Sequence, residues 1–414
     1  MSGERIFLPD KGNRANLLVP AMIITTAAVS ASSGILTLFT VEIAEIFQVS
    51  LGAASQLATI NYAGEFIFAL LMSVLAVRFR YKPLIMAGVL FVIVSAIGSF
   101  LAPDFVSMEI FFAMEGIGTV IFGVMSLTLF GDVFPPKKRA KAVSYVTTAL
   151  WVIALINFPL SGFIANVCGW RSNFILQVLP ISLAGLSLAF FAVPSKPHEK
   201  TTAKKNTSYI ESFKKILTDK SATACLAGSI LSTAGVQIGL FAVLFYRQRF
   251  SMSLDSVVLL NMGMIIIFII GSFAAGRLTN KFGAKPLAVT GTLLTGLFTM
   301  TFFLIPNIWG ALFFDVLHVS FAAIAAPAYL CLALAQVPKF RGTMMSLNSA
   351  TGSLARMVAP AVGGALLVLT FNSYEAVGLA LGGMSVAAAI ILFFLAKDPT
   401  RVQPKVLDAI AKEN

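Results

Sequence analysis

The residues with the most chemistry in this chain sit where charge is expensive. Asp315 and His318 stand three apart within one long apolar stretch, Arg356 lies near the middle of another, and Glu65 and Glu115 interrupt two more. An ionisable group inside an apolar span costs at least ~2.5 kcal/mol, so such groups mark pathways, proton carriers or ion pairs. Three-residue spacing puts Asp315 and His318 on one helix face. A carboxyl and an imidazole there can take up and release protons, and a guanidinium can hold the anionic group of a solute. Asp315, His318, Glu65 and Glu115 are therefore the candidates for proton coupling, with Glu115 also reading as a helix-packing residue. Arg356 leads the candidates for solute binding, followed by the polar or aromatic Asn61, Tyr62, Asn157, Gln237, Tyr329 and Asn348. The competing reading joins Asp315, His318 and Arg356 in a fixed structural ion pair with a hydrogen-bonded histidine.

Other chemistries find no support in the residues. Cys168, Cys225 and Cys331 form no close-spaced set, and His198 and His318 lie far apart, so neither a disulfide framework nor a metal site is indicated. No Gly-Lys-Ser/Thr loop is present to cradle a nucleotide phosphate. No Ser/His/Asp set or carboxylate pair falls in one aqueous segment. The expectation is a chain without cofactor, metal or enzymatic reaction.

The elements that must position these groups follow from composition. Of 414 residues, 58% are apolar and 12% charged, against about 25% charged in an ordinary soluble domain. Mean hydropathy is +0.90, an excess that no soluble core of this chain length can bury. A spanning helix needs about 20 apolar residues, and twelve such runs lie between 17 and 396, the second at 52–77 and the seventh at 222–246. Uninterrupted apolar stretches such as Ile265 to Ile270 point to helices rather than to the alternating strands of a barrel. No removable leader is expected at the amino end.

The net charge of +12 would suggest nucleic acid if it were clustered on a soluble surface. Instead, 26 of the 30 lysines and arginines fall in alternate loops and the two ends. That asymmetry sets orientation, with cation-rich loops and both termini in the cytoplasm, and it argues against nucleic acid. The longest break, with seven lysines and a short amphipathic piece at Tyr209 to Leu217, divides the chain. The expected organisation is a segment 1–16, a six-helix bundle 17–193, a linker 194–221, a second bundle 222–396 and a tail 397–414. The tail residues from Val402 are expected to form a short surface helix.

Two connections repeat one another. Ser73 to Pro83 and Gly276 to Pro286 each place a small residue, a cation (Arg78, Lys281), a phenylalanine, a lysine (Lys82, Lys285) and a proline at equal spacing. This stretch resembles the cytoplasmic-loop signature of the major facilitator superfamily, Gly-x-Leu-Ala-Asp-Arg-x-Gly-Arg-Lys, with Gly283 in its turn. The acidic position is Val77 in one copy and Asn280 in the other, which leaves Asp132 or another acid to complete any acid–base latch. Gly131-Asp132 to Arg139-Ala140, and Gly169-Trp170-Arg171 with Phe174, resemble the same family's connections around its fifth helix.

The resemblance covers nearly the whole chain and implies an all-α integral membrane fold of twelve helices in two pseudo-symmetric six-helix bundles. It implies a secondary transporter that alternates access by rocking the halves around a midplane site. Asn157-Phe158-Pro159-Leu-Ser-Gly162 and Ala359-Pro360-Ala-Val-Gly363-Gly364 resemble a stretch that marks proton-coupled exporters, where proline and small residues permit bending and close packing. The arginine common in their fourth helix is Phe112 here. The leading expectation is thus a proton-coupled antiporter for efflux of drug-like or amphipathic compounds, monomeric, in a prokaryotic plasma membrane. Its partners are a small-molecule substrate, membrane lipids, and protons or a counter-solute. The alternatives are uptake or exchange of a small organic anion bound by Arg356, and a membrane sensor or lipid-handling protein without flux.

Overall fold

The computed structural model describes residues 14–133, 136–193, 209–337 and 341–398. Some helical side chains lie outside the described residues, among them Arg78, Asp132, Arg139 and Asn280, as does the expected tail helix. The chain begins with α1 (Arg14–Phe47), α2 (Leu51–Arg78), α3 (Tyr81–Leu101), α4 (Phe105–Val133) and α5 (Pro136–Cys168). A five-residue π-helical segment, Phe174–Val178, leads into α6 (Leu179–Ala192). Then follow α7 (Tyr209–Thr218), α8 (Lys220–Val236), α9 (Gly239–Arg249), α10 (Leu254–Phe282), α11 (Ala284–Leu304), α12 (Ile308–Gln336), α13 (Arg341–Leu369) and α14 (Tyr374–Leu395).

Among the described residues, eleven helical stretches are long and apolar enough to cross a membrane. The second of the twelve expected spans is α2, which is 28 residues long but falls outside that set. Gln56, Asn61, Tyr62 and Glu65 interrupt its apolar sequence. The fold is helical because hydrocarbon offers no hydrogen bonds, so each spanning segment must satisfy its own backbone. Hydroxyls obey the same rule by bonding back to the preceding turn. Thr25 donates to the Ala21 carbonyl at 2.8 Å, Thr26 to Met22 at 2.7 Å and Thr295 to Gly291 at 2.7 Å. Many large apolar side chains are exposed, as lipid contact requires; Trp309, Phe394 and Phe273 are each more than two-thirds exposed.

The chain divides into two compact units, residues 1–201 with 253–262, and 202–252 with 263–414. Ser253 and the first nine residues of α10 thus group with the first unit. Within each unit, small residues let helices approach backbone to backbone. In the first, a Cβ on Gly88 of α3 would lie 2.8 Å from the Gly118 carbonyl oxygen of α4, and one on Gly118 would lie 2.5 Å from that of Gly88. In the second, Gly296 of α11 and Gly382 of α14 face each other in the same way, each 2.6 Å from the other's carbonyl oxygen.

The helices repeat with a constant register. α2, α3 and α4 start at 51, 81 and 105, and α10, α11 and α12 start at 254, 284 and 308, each 203 residues later. The seventh span departs from expectation. It is broken into α8 and α9 at Gln237-Ile238, where Gln237 has ψ 48° and its N–H returns to the Thr233 and Ala234 carbonyls. The flanking Gly235 and Gly239 explain why the helix yields there, since each glycine costs about 1 kcal/mol in a helix interior. The cysteines are all free, with Cys168 and Cys331 exposed and Cys225 buried.

Candidate functional site

In the first unit, two buried carboxyls come from neighbouring helices. Glu65 on α2 is 5% exposed and Glu115 on α4 is 2% exposed, and they are close enough for their charges to interact. Ser32 of α1, itself buried, donates a hydrogen bond to Glu115. The backbone of α2 closes on α4 around this pair. A Cβ on Gly116 would fall 1.9 Å from the Asn61 carbonyl oxygen, and one on Gly64 would fall 2.7 Å from that of Ala113. Asn61 turns its side chain to α4 as well, its Nδ2 donating to the Phe112 carbonyl at 3.0 Å. Tyr62, one residue on, is half-buried.

Asn157 is buried on α5 and lines an apolar cavity of about 420 Å3 between α1, α5 and α6, with Ile24, Ala27, Ile153 and Ile181 among its walls. Its main-chain carbonyl accepts from Gln177 Nε2 at 3.4 Å, while Gln177 Oε1 accepts from the Ser161 hydroxyl at 2.8 Å. Pro159 and Gly162 sit on the same helix, which runs unbroken for 33 residues.

In the second unit, Asp315 and His318 are both buried on α12, at 4% and 3% exposure. The Tyr246 hydroxyl of α9 donates to Asp315 Oδ2 at 3.0 Å. His318 Nδ1 lies 2.8 Å from the Thr299 hydroxyl oxygen of α11. Arg356 is half-buried on α13, where its Nη2 donates to Ser353 Oγ at 3.2 Å. The groups bonded to Asp315 and His318 do not include Arg356, so the three are not joined in this structure. Asp315 and His318 bond to residues of facing helices, whereas Arg356 bonds one turn back on its own helix.

Other candidates are engaged within the unit. The Tyr329 hydroxyl donates to the Cys225 carbonyl of α8, and Asn348 Oδ1 accepts from the Ser229 hydroxyl at 3.2 Å. Gln237 occupies the break between α8 and α9. Pro360, Gly363 and Gly364 are buried on α13, and a Cβ on Gly363 would lie 2.3 Å from the Phe241 ring.

The repeated connections are visible in both units. Gly283 takes φ +92° between α10 and α11, a conformation only glycine adopts without strain. Lys285 Nζ donates to the Phe393 and Ala396 carbonyls at 2.9 and 2.6 Å, closing the carboxyl end of α14, and lies 5.9 Å from the Phe393 ring centre. Cations suit that helix end. Lys82, 203 residues earlier, lies 4.1 Å from the ring centre of Phe190, itself 203 residues before Phe393. Lys281 is exposed, 5.2 Å from the Phe282 ring.

Sequence reasoning missed Ser32, Tyr246 and Thr299, all partners of buried ionisable groups. Only the pair Thr295 and Thr299, one turn apart in an apolar helix, offered a signal.

Comparison with known proteins supplies the identity. The family model described as Major Facilitator Superfamily matches residues 21–272 and 227–412. The uncharacterized MFS-type transporter YbcL of Bacillus subtilis is 26% identical over 377 residues, covering 85% of this chain and 89% of that protein. Multidrug resistance protein 2 of the same organism is 24% identical over 337 residues, covering 77% of this chain and 79% of the relative. The crystal structure of a D-xylose–proton symporter superposes with a TM-score of 0.76 at 17% identity, over 93% of this chain and 98% of the symporter, a likeness of fold. The chain therefore belongs to the major facilitator superfamily: it is a multi-pass membrane protein and a secondary transporter of small solutes, not an enzyme.

Proposed function

We propose that this transporter is a proton-coupled exporter of drug-like or amphipathic compounds. The carrying observation is the buried pair Glu65 and Glu115, two carboxyls from facing helices, with the Ser32 hydroxyl bonded to Glu115. Two carboxyls so placed repel when both are charged, which favours a shared proton. Asp315, with Tyr246 as its donor, is a second proton-carrying group. The kinship with Multidrug resistance protein 2 supports the substrate class. The proposal keeps cation-rich loops and both termini in the cytoplasm, bundles 17–193 and 222–396 rocking about a linker 194–221, and a monomer in a prokaryotic plasma membrane. Asn61, Tyr62, Asn157, Gln237, Tyr329 and Asn348 remain the proposed solute contacts.

The test is ethidium flux in proteoliposomes under an imposed pH gradient. Flux should collapse when nigericin dissipates the gradient, and should fall at least tenfold in Glu65→Gln. Flux that ignores nigericin would sink proton coupling. Arg356, a half-buried guanidinium on α13, favours a second reading, exchange of a small organic anion. Competition by carboxylates but not by lipophilic cations, lost in Arg356→Gln, would support it over the first.

A further inference from the structure

Among the described residues, the cavity between α1, α5 and α6 has one polar side chain in its walls. Asn157 stands there with eight apolar residues and is itself 5% exposed. Its Nδ2 has no hydrogen-bond partner among the described residues. Gln177, the side chain that reaches Asn157, is already spent: its Nε2 donates to the Asn157 main-chain carbonyl at 3.4 Å and its Oε1 accepts from the Ser161 hydroxyl at 2.8 Å. An unmet buried donor is rare in a native structure and calls for a partner.

Water is a poor partner at this place. Asn157 falls inside the 19-residue apolar span Leu150–Cys168, and a buried water needs about two to four polar partners where these walls offer one side-chain amide. The cavity is open on the lipid side. Ile153 is buried in its floor, whereas Ile156, Leu160 and Ala184 at its rim are exposed, and exposed apolar side chains of a spanning helix meet acyl chains. A volume of about 420 Å3 lies among small-molecule sites, which are likewise mostly apolar with a few placed polar groups. The π-helical turn Phe174–Val178 leads α6 into this wall, a geometry concentrated at functional sites.

The repeat indicates that the scaffold does not need this amide. α5 and α13 share a Pro-x-x-Gly, at Pro159 to Gly162 and at Pro360 to Gly363; two residues before the proline, α5 carries Asn157 and α13 carries Val358. An amide that joins helices has its donor engaged, as Asn61 Nδ2 is with the Phe112 carbonyl at 3.0 Å. The Asn157 donor is not so engaged among the described residues.

We infer that this groove is a side entrance for solute: a neutral or amphipathic molecule reaches it from the bilayer, lays its apolar body against Ile153 and Ile181, and sets a carbonyl or ether oxygen to accept from Asn157 Nδ2. The inference rests on the exporter reading only in making that occupant cargo; the binding stands apart from it. The test is thermal unfolding of the purified full chain in detergent, with benzophenone, a neutral ketone, and with diphenylmethane, the same skeleton without the oxygen. Benzophenone should raise Tm by at least about 2 °C more than diphenylmethane does. In Asn157→Leu that preference should vanish. Equal responses to the two probes in the parent, or a preference preserved in Asn157→Leu, overturns the inference. If Asn157→Leu does not fold, Ala184→Trp at the exposed rim narrows the mouth and should abolish the response to both probes; a parent-like response there overturns it equally. A phospholipid held by the parent and lost in Asn157→Leu, read by native mass spectrometry, makes the groove a lipid seat and overturns it as well. Absence of ethidium flux beside a surviving benzophenone preference would count against the exporter proposal alone.

Discussion

The two units share a register but not a chemistry. Their turns are built alike: Lys82 over Phe190 recurs as Lys285 over Phe393 at the same 203-residue offset. Their buried polar positions have diverged. Glu115 becomes His318, Phe112 becomes Asp315 and, beside them, Gly116 becomes Val319, whereas the exposed cap changes only from Asp104 to Asn307. Turns and helix starts satisfy backbone requirements that both halves share, so they tolerate little change. Buried side chains answer to whatever each unit binds, and a duplicated scaffold leaves them free to differ.

The largest test of that contrast is at the helix contact. Gly116→Val would drive a side chain into the Asn61 carbonyl, 1.9 Å from the added Cβ. It should cost about 3 kcal/mol or more and abolish folded protein in a thermal melt. Val319→Gly, at the matching place, should cost about 1 kcal/mol. Equal effects would mean that the fourth helices pack alike after all.

Next comes the titratable pair of positions. Glu115→Gln keeps an acceptor for Ser32 but removes the exchangeable charge, and pH-gradient-driven ethidium flux should fall at least tenfold. His318→Gln should retain it. If both variants lose flux equally, the two positions carry protons alike and the contrast between the units fails.

A smaller effect is expected at the turns. Lys285→Met removes two charge-assisted bonds to the end of α14, at about 1 kcal/mol, or roughly 2 to 4 °C in Tm. Lys82→Met should cost less, and a larger loss there would reverse the ranking of the two turns.

The smallest effect separates the caps. Hydrogen bonds from the Ser107 hydroxyl and N–H, at 2.6 and 2.7 Å, hold the exposed Asp104 carboxyl below its ordinary value of 3.8. A lowered folded value means that the cap's contribution is present above that ordinary value and lost as pH falls through the lowered one. Amide exchange at the start of α4 should therefore accelerate below about pH 4. The start of α12, capped by Asn307 through the Gly310 N–H at 2.7 Å, should show no such step. Asp104→Asn should abolish the difference.

Much of the architecture was legible because membrane burial writes itself in composition. Apolar runs located the spans, and the paired Lys-Pro turns exposed the repeat. The break in the seventh span was not read, since Gly235-Val-Gln-Ile-Gly239 is apolar enough to pass as helix interior. The site was legible as a set of suspects and opaque as a set of partners. Asp315, His318 and Arg356 suggested one cluster by depth, yet Tyr246, Thr299 and Ser353 claim them separately. Depth along a helix can be counted from sequence, whereas the direction a side chain faces depends on which neighbour packs beside it.

The free thiols have a practical consequence. Cys225 is shielded, and Cys331 is exposed within an apolar span, where water-borne reagents react slowly. Cys168 is exposed where α5 ends. The native chain thus already carries a sidedness reporter: a membrane-impermeant maleimide applied to intact cells, then to opened ones, would show which compartment the loop at Gly169 meets, with no engineered cysteine.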